Sequence, residues 1–132
     1  MTNKKSHMNK FNKRCVAIIF GGQSNEHQIS IQSARTIFDA LNSEKNKQKY
    51  YTKAFYISRN GKWFCSDDSL KLLKNSKNIG NFIDQFPSKN FRLFDNLDCE
   101  DVDIWFPIIH GSNGEDGSIQ GLLKLTQKPF VG

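Results

Sequence analysis

The chain has 132 residues, which is enough for one domain and short for two. Its hydrophobic share of 37% leaves room for a core, but no apolar run approaches the roughly 20 residues that a membrane span requires. The net charge of +6 suggests a nucleic-acid binder, yet the lysines are scattered through loops and form no basic stripe with interleaved aromatic residues.

The first third of the chain shows a polar segment followed by the patterns of a strand and a helix. Residues 1–14 are polar and are expected to form a mobile tail. Residues 15–20 form an apolar run that ends at two glycines, which predicts a strand buried on both faces, as in a parallel sheet. Ser24 or Asn25 can cap the next helix through a side-chain oxygen. The predicted apolar face of that helix consists of Ala34, Ile37, Phe38 and Leu41.

The middle of the chain begins with a second strand pattern at residues 51–57. Asn60 and Gly61 predict a tight hairpin in which both residues have positive φ, and the hairpin returns the chain into residues 62–65. Residues 66–90 are ambiguous, with a short helix expected at residues 69–74.

The last third repeats the order of strand, glycine-rich turn, helix and strand. Residues 102–109 predict a strand, residues 110–117 a loop, and residues 118–127 a helix that buries Ile119, Leu122, Leu123 and Leu125. Residues 130–132 begin another strand. This order predicts an α/β layer with a largely parallel sheet, and ligands of such sheets bind beyond the carboxyl ends of the strands. The two glycine-rich loops are therefore expected to converge on one crevice.

The first of these loops carries Glu26 and His27. Its glycine spacing matches neither a dinucleotide fingerprint nor a Walker A loop. A carboxylate in the first turn repels phosphate but suits an ammonium group, so Glu26 either binds such a group or only stabilises the helix dipole. His27 is expected at the surface or in a capping role, with substrate contact as the alternative.

The second loop carries His110, Glu115 and Asp116. A histidine at a strand end before a glycine turn suits binding or catalysis, but it can also hydrogen-bond into the loop backbone. The two carboxylates can cap the following helix. No base and orienting group accompany a serine here, so a nucleophilic triad is not predicted.

The three cysteines (Cys15, Cys65 and Cys99) are odd in number and far apart, which indicates a reducing compartment and not a disulfide framework. The spacing of His and Cys predicts no structural zinc site. The start of the chain lacks the apolar segment of a secretory signal, and a cytoplasmic location is expected.

Two stretches carry a family resemblance: FGGQSNEHQISIQSA at residues 20–34 and FPIIHGSNGEDGSIQG at residues 106–121. Both closely resemble signatures of D-alanine–D-alanine ligases, and they occur in the order found in that family. The resemblance covers about residues 15–65 and 100–132.

The resemblance implies a Rossmann-like α/β fold: a mainly parallel sheet flanked by helices, with a β-hairpin insertion. It also implies that residues 15–132 form the N-terminal substrate-binding domain of a ligase and that the ATP-grasp domains are absent. By motif match, Glu26 holds the ammonium of the first D-alanine and Ile29 lines its methyl pocket. His110 orients the carboxyl of that substrate, and Gly111 lets the loop approach it closely. Glu26 and His110 are thus the expected catalytic residues.

The implied partners are D-alanine, the missing ATP-grasp domains and a second copy of the chain as a homodimer, with no nucleic acid and no membrane. ATP and Mg²⁺ (or Mn²⁺) are implied for the complete enzyme, which makes a dipeptide for peptidoglycan. The chain alone is expected to be inactive and to bind neither cofactor. Two alternatives stay open: a non-catalytic binding module that keeps the fold, and a basic nucleic-acid binder.

Overall fold

The structure is a computed structural model that describes residues 13–75, 101–109 and 117–131. Within these ranges, strands alternate with helices. In chain order the elements are β1 (Arg14–Gly21), α1 (His27–Leu41), β2 (Tyr50–Ile57), α2 (Ser66–Lys74), β3 (Ile104–Ile108) and α3 (Ser118–Lys124). Most of the predicted tail, the glycine-rich loop at residues 110–116, and Cys99 lie outside the described residues, so the predictions made for them stay predictions.

The strands of the described residues form one parallel sheet in the order β2-β1-β3. In the central strand β1, Gly21 pairs with Ile57 of β2, and Phe20 pairs with Ile108 of β3. Parallel neighbours need a crossover connection, and α1 provides the one between β1 and β2. The sheet and its flanking helices confirm the predicted α/β fold class.

The central strand β1 explains the continuous apolar run of the sequence. Its residues from Cys15 to Phe20 are each at most 4% exposed, because both faces of the sheet are covered. Side chains alternate along a strand, so Ala17 and Ile19 pack into one apolar cluster with Trp105. Ile18 and Phe20 pack into a second cluster on the opposite face.

The helices α1 and α2 lie on the second of these faces. The predicted apolar face of α1 is confirmed: Ala34 is buried, and Ile37, Phe38 and Leu41 pack against the cluster. The predicted short helix is confirmed as α2, although it begins at Ser66, before the predicted residue 69. Asp67 and Asp68 in its first turn, and Lys71 and Lys74 in its last, complement the helix dipole.

The predicted hairpin exists, but its predicted turn geometry is wrong. Ser58 and Lys62 bracket a three-residue loop, since Gly61 N–H donates to Ser58 O at 3.0 Å and Ser58 N–H to Lys62 O at 2.9 Å. Gly61 alone in this loop has positive φ (84°), which is the geometry of a turn followed by a glycine bulge. Asn60 therefore needs no left-handed conformation. The returning chain forms a bridge between Trp63 and Ile57, and Phe64 N–H donates to the Tyr56 carbonyl at 2.9 Å.

The carboxyl-terminal helix α3 is shorter than predicted. It ends at Lys124, not at residue 127, and Leu125 is 71% exposed where the sequence predicted a buried side chain. The following turn instead brings Thr126 Oγ1 to the indole N–H of Trp105, which donates to it at 3.0 Å. Phe130 then pairs with Trp105 in a parallel bridge, as expected for the start of a further strand.

Two further expectations concern cysteines and membranes. Cys15 is buried and Cys65 is partly buried; both are free thiols. Burial raises the pKa of the Cys15 thiol to about 11, so it behaves as a small apolar residue, as expected. In the part of the chain that the structure describes, every helix is too short or too polar to cross a membrane.

Candidate functional site

The carboxyl end of β1 turns sharply at Gly21 and Gly22, whose φ values are 95° and 98°. A side chain at Gly21 would overlap the carbonyl oxygen of Ile57, and its Cβ would lie 2.9 Å from the ring of Tyr56. Gly22 N–H donates to the same Ile57 oxygen at 2.8 Å. The turn therefore lies directly against the end of β2, which is a position that only glycine permits.

Ser30, in the first part of α1, connects the turn to β3. Its buried hydroxyl accepts from Gly21 N–H at 2.8 Å and donates to the carbonyl of Ile108. Ile108 is the last residue of β3, two residues before His110. One side chain thus joins the ends of β1 and β3 to the beginning of the helix.

His27, the first residue of α1, connects the same turn to β2. Its Nδ1 lies 2.6 Å from the carbonyl oxygen of Gly22, and its Nε2 lies 2.8 Å from the hydroxyl of Tyr56. The two rings meet edge to face at 5.4 Å. His27 is 1% exposed, so the expectation that it lies at the surface is wrong. The physical reason is its position on the apolar face of α1, at helical spacing from Ile31 and Ala34.

Burial sets the ionisation of this pair. It lowers the pKa of the His27 imidazole, and the positive charge of Arg59 lowers that pKa further, whereas the bond to Gly22 raises it. Burial also raises the pKa of the Tyr56 hydroxyl to about 12. Both groups are therefore neutral near pH 7, and neither acts as a charged ligand for substrate.

Glu26 lies immediately before α1, at its N-cap position, and is exposed. Its side chain makes no capping hydrogen bond. Ser24 accepts instead, since its hydroxyl receives Glu26 N–H and its carbonyl receives His27 N–H, each at 3.2 Å. The prediction that Ser24 or Asn25 caps the helix is therefore wrong: Glu26 occupies the cap position, and Ser24 stabilises the turn that precedes it.

Ile29 lies in the first turn of α1, three residues after Glu26, and is 54% exposed. Residues three apart are neighbours on a helix surface, so a carboxylate and an exposed apolar side chain lie side by side. This combination suits a small molecule that has an ammonium group and a short apolar side chain.

His110 and Gly111 lie outside the described residues, as do Glu115 and Asp116. The residues before them are described: Phe20 and Ile108 pair in parallel register, so the chain towards residue 110 leaves the sheet at the edge where the glycine turn begins. Across the described ranges, His, Cys, Asp and Glu nowhere form a group of three or more that could hold a metal ion.

Ser30 and Tyr56 are two residues of the site that were not predicted from the sequence. Ser30 shares the helical spacing of the buried face with His27, and that periodicity is the signal that could have identified both as buried. In the sequence, Tyr56 has the pattern of an ordinary aromatic residue of a strand. Its hydrogen bond with His27 is evident only in the three-dimensional structure.

Comparisons with known proteins give one consistent result. Residues 15–132 match the family model described as the D-ala D-ala ligase N-terminus. A D-alanine–D-alanine ligase of Prochlorococcus marinus (strain MIT 9515) is 50% identical over 122 residues, which cover 91% of this chain and 34% of that protein. The chain thus spans about a third of the length of the curated relatives that it matches.

Solved structures agree with the sequence matches. The D-alanine-D-alanine ligase of Coxiella burnetii has a TM-score of 0.72 at 31% identity, over 91% of this chain and 35% of that one. The VanG D-Ala:D-Ser ligase of Enterococcus faecalis has a TM-score of 0.68 at 29% identity, over 90% of this chain and 35% of that one. These relatives are named as ligases, so the comparisons do not favour a non-catalytic module.

Proposed function

This chain belongs to the D-alanine–D-alanine ligase N-terminal family, and from that premise we propose that it forms the part of a complete ligase that binds the first D-alanine. The complete enzyme would act in the cytoplasm, join two D-alanine molecules at the expense of ATP, and supply the dipeptide for peptidoglycan synthesis. We propose residues 15–132 as the N-terminal domain, whose strand β1 already begins at Arg14, and the residues before Arg14 as a tail. The observation that carries the proposal is an exposed carboxylate at the glycine turn, at the carboxyl edge of a parallel sheet.

Glu26 is the proposed ligand of the substrate ammonium. Its carboxylate is exposed and not used as a helix cap, so it can accept hydrogen bonds from a substrate. A charge-assisted bond of this kind is stronger than a neutral one, and it strengthens further when the rest of the enzyme excludes water from the site. It fixes the first D-alanine with its carboxyl group in a constant place, and such positioning lowers the barrier of a two-substrate reaction.

Ile29 is the proposed wall for the substrate methyl group. It stands next to Glu26 on the surface of α1, and half of its side chain is available for contact. His110 and Gly111 are the proposed partners from the second loop. The pairing of Phe20 with Ile108 supports that proposal, since β3 ends two residues before His110, at the edge of the sheet where the glycine turn lies.

ATP and Mg²⁺ (or Mn²⁺) are proposed to bind in the remaining two-thirds of the complete ligase, where the family resemblance places the ATP-grasp domains. When bound there, ATP would supply the phosphoryl group that activates the carboxyl of the first D-alanine. This chain's own residues hold and orient that substrate. A homodimer through this domain remains part of the proposal.

The test is the substitution Glu26→Gln in a complete ligase that carries this domain. The KM for the first D-alanine should rise about 10- to 100-fold, because the lost charge-assisted bond contributes about 1.5–3 kcal/mol. Glu44→Gln is the matched control, since Glu44 is 91% exposed and pairs with Lys47, beyond the other end of α1. An unchanged KM for Glu26→Gln would remove this residue from the substrate site.

A further inference from the structure

The hydrogen bonds of His27 determine where its ring proton lies. A carbonyl oxygen can only accept, so Nδ1, at 2.6 Å from the Gly22 oxygen, must carry the proton. In a neutral imidazole the other nitrogen is then an acceptor, and the Tyr56 hydroxyl donates to it at 2.8 Å. The ring is thus bound at both nitrogens, in one tautomer and one orientation.

We propose that His27, held as its Nδ1–H tautomer between Gly22 and Tyr56, is a positioning residue for the Glu26 carboxylate. The proposal rests on the function proposed above for Glu26. Nothing in the family match or in the names of the relatives assigns this role to His27 or Tyr56.

The proposed action is through the backbone of the turn. His27 is the direct chain neighbour of Glu26, so a fixed imidazole fixes the peptide unit that joins the two residues. The same ring holds the carbonyl of Gly22 and thereby closes the loop from Gly22 to His27 around Glu26. With its ring tied to β2 through Tyr56, the helix start cannot shift without breaking a buried hydrogen bond.

Ser30 provides a second, independent attachment, to β1 and β3. The two side chains therefore hold the first turn of α1 to all three described strands. The groups that face the imidazole are the Gly22 carbonyl, the Tyr56 hydroxyl and, at longer range, the guanidinium of Arg59. The Glu26 side chain is exposed and makes no capping hydrogen bond, so these two attachments act on its backbone.

A first experiment examines the tautomer in the 132-residue chain itself. Nitrogen-15 NMR of the His27 ring at pH 7.5 should show a protonated Nδ1 and an unprotonated Nε2. In Tyr56→Phe the Nε2 resonance should move, because its donor is gone while the ring packing is kept. An Nε2–H tautomer or an imidazolium in the wild-type chain would overturn the proposal.

A second experiment uses a matched pair of substitutions in the complete ligase. In His27→Asn, the side-chain amide N–H stands where Nδ1 stood and keeps the bond to Gly22. In His27→Gln, an amide oxygen stands near the position of Nε2 and keeps only the bond from Tyr56. We expect His27→Ala and His27→Gln to raise the KM for the first D-alanine about tenfold with little change in kcat, and His27→Asn to restore it to within about threefold.

A structural control separates positioning from lost stability. Val102 is buried two residues before β3, at the end of the sheet that lies away from the glycine turn. Val102→Ala removes buried volume there. It should lower the thermal midpoint without changing the KM. The positioning role is refuted if Val102→Ala raises the KM as much as His27→Ala does, or if His27→Asn gives no better KM than His27→Ala. If Glu26→Gln raises the KM and the His27 variants do not, the proposed function stands and the positioning role of His27 is refuted. If Glu26→Gln leaves the KM unchanged, the proposed function itself is refuted.

Discussion

Gly21→Ala should be among the most disruptive single-methyl changes in the chain, and its cost can be worked out from the turn. At a φ of 95°, an L-residue is strained by about 1–2 kcal/mol. The new Cβ would also overlap the Ile57 oxygen, and forcing atoms into such a packed region costs about 1–3 kcal/mol. The expected loss in the free energy of unfolding is therefore about 2–5 kcal/mol, a large part of the roughly 5–15 kcal/mol that holds a domain together.

The assay is urea unfolding of the 132-residue chain, followed by circular dichroism. Gly121→Ala is the matched control, because Gly121 lies within α3 and a Cβ there meets open space. That substitution should stabilise the chain by about 0.5–1 kcal/mol, since alanine favours a helix over glycine. A loss below about 1 kcal/mol for Gly21→Ala would refute the inference that the turn lies directly against β2.

Three further predictions concern the same region. Ser30→Ala should lower the free energy of unfolding by about 2–4 kcal/mol, because the buried Gly21 N–H and Ile108 carbonyl lose this partner. The control Ser33→Ala should change the free energy of unfolding little. Equal losses for the two variants in urea unfolding would contradict the prediction. The pKa of His27 is lowered in the folded chain, so its contribution to stability is full above about pH 6.5 and falls at lower pH, by up to about 1.4 kcal/mol per pH unit. His27→Asn should flatten this part of the profile of stability against pH. An unaltered profile would contradict the prediction. Ile29→Ala should leave the free energy of unfolding nearly unchanged, because Ile29 is exposed. It should reduce the preference of the complete ligase for D-alanine over larger D-amino acids. Unchanged selectivity would remove Ile29 from the methyl pocket.

Hydrophobic patterns were enough to predict the parallel α/β architecture. The apolar run at residues 15–20 and the glycines after it specify a buried strand and a sharp turn, and both are present. The hairpin was found, but its turn type was not, because Asn60 and Gly61 occur in both two- and three-residue loops and the choice depends on which residues pair beyond them.

The buried polar contacts of the site could not be predicted in the same way. His27 next to Glu26 suggested a polar surface turn, whereas the helical period places it against the sheet. Its partner Tyr56 lies 29 positions further along the chain, and local sequence carries no signal for that pairing. Leu125 shows the opposite error: a leucine at helical spacing is exposed because the helix ends one residue earlier.

The central proposal is that two loops, one with Glu26 and one with His110, bind the same small zwitterion. A crystal structure of the complete ligase with bound D-alanine tests this most directly. We predict that a Glu26 carboxylate oxygen lies within about 2.7–3.2 Å of the substrate nitrogen and that the His110 ring contacts the same molecule. A structure in which D-alanine binds elsewhere, or in which these two side chains lie on opposite faces of the sheet, would contradict it.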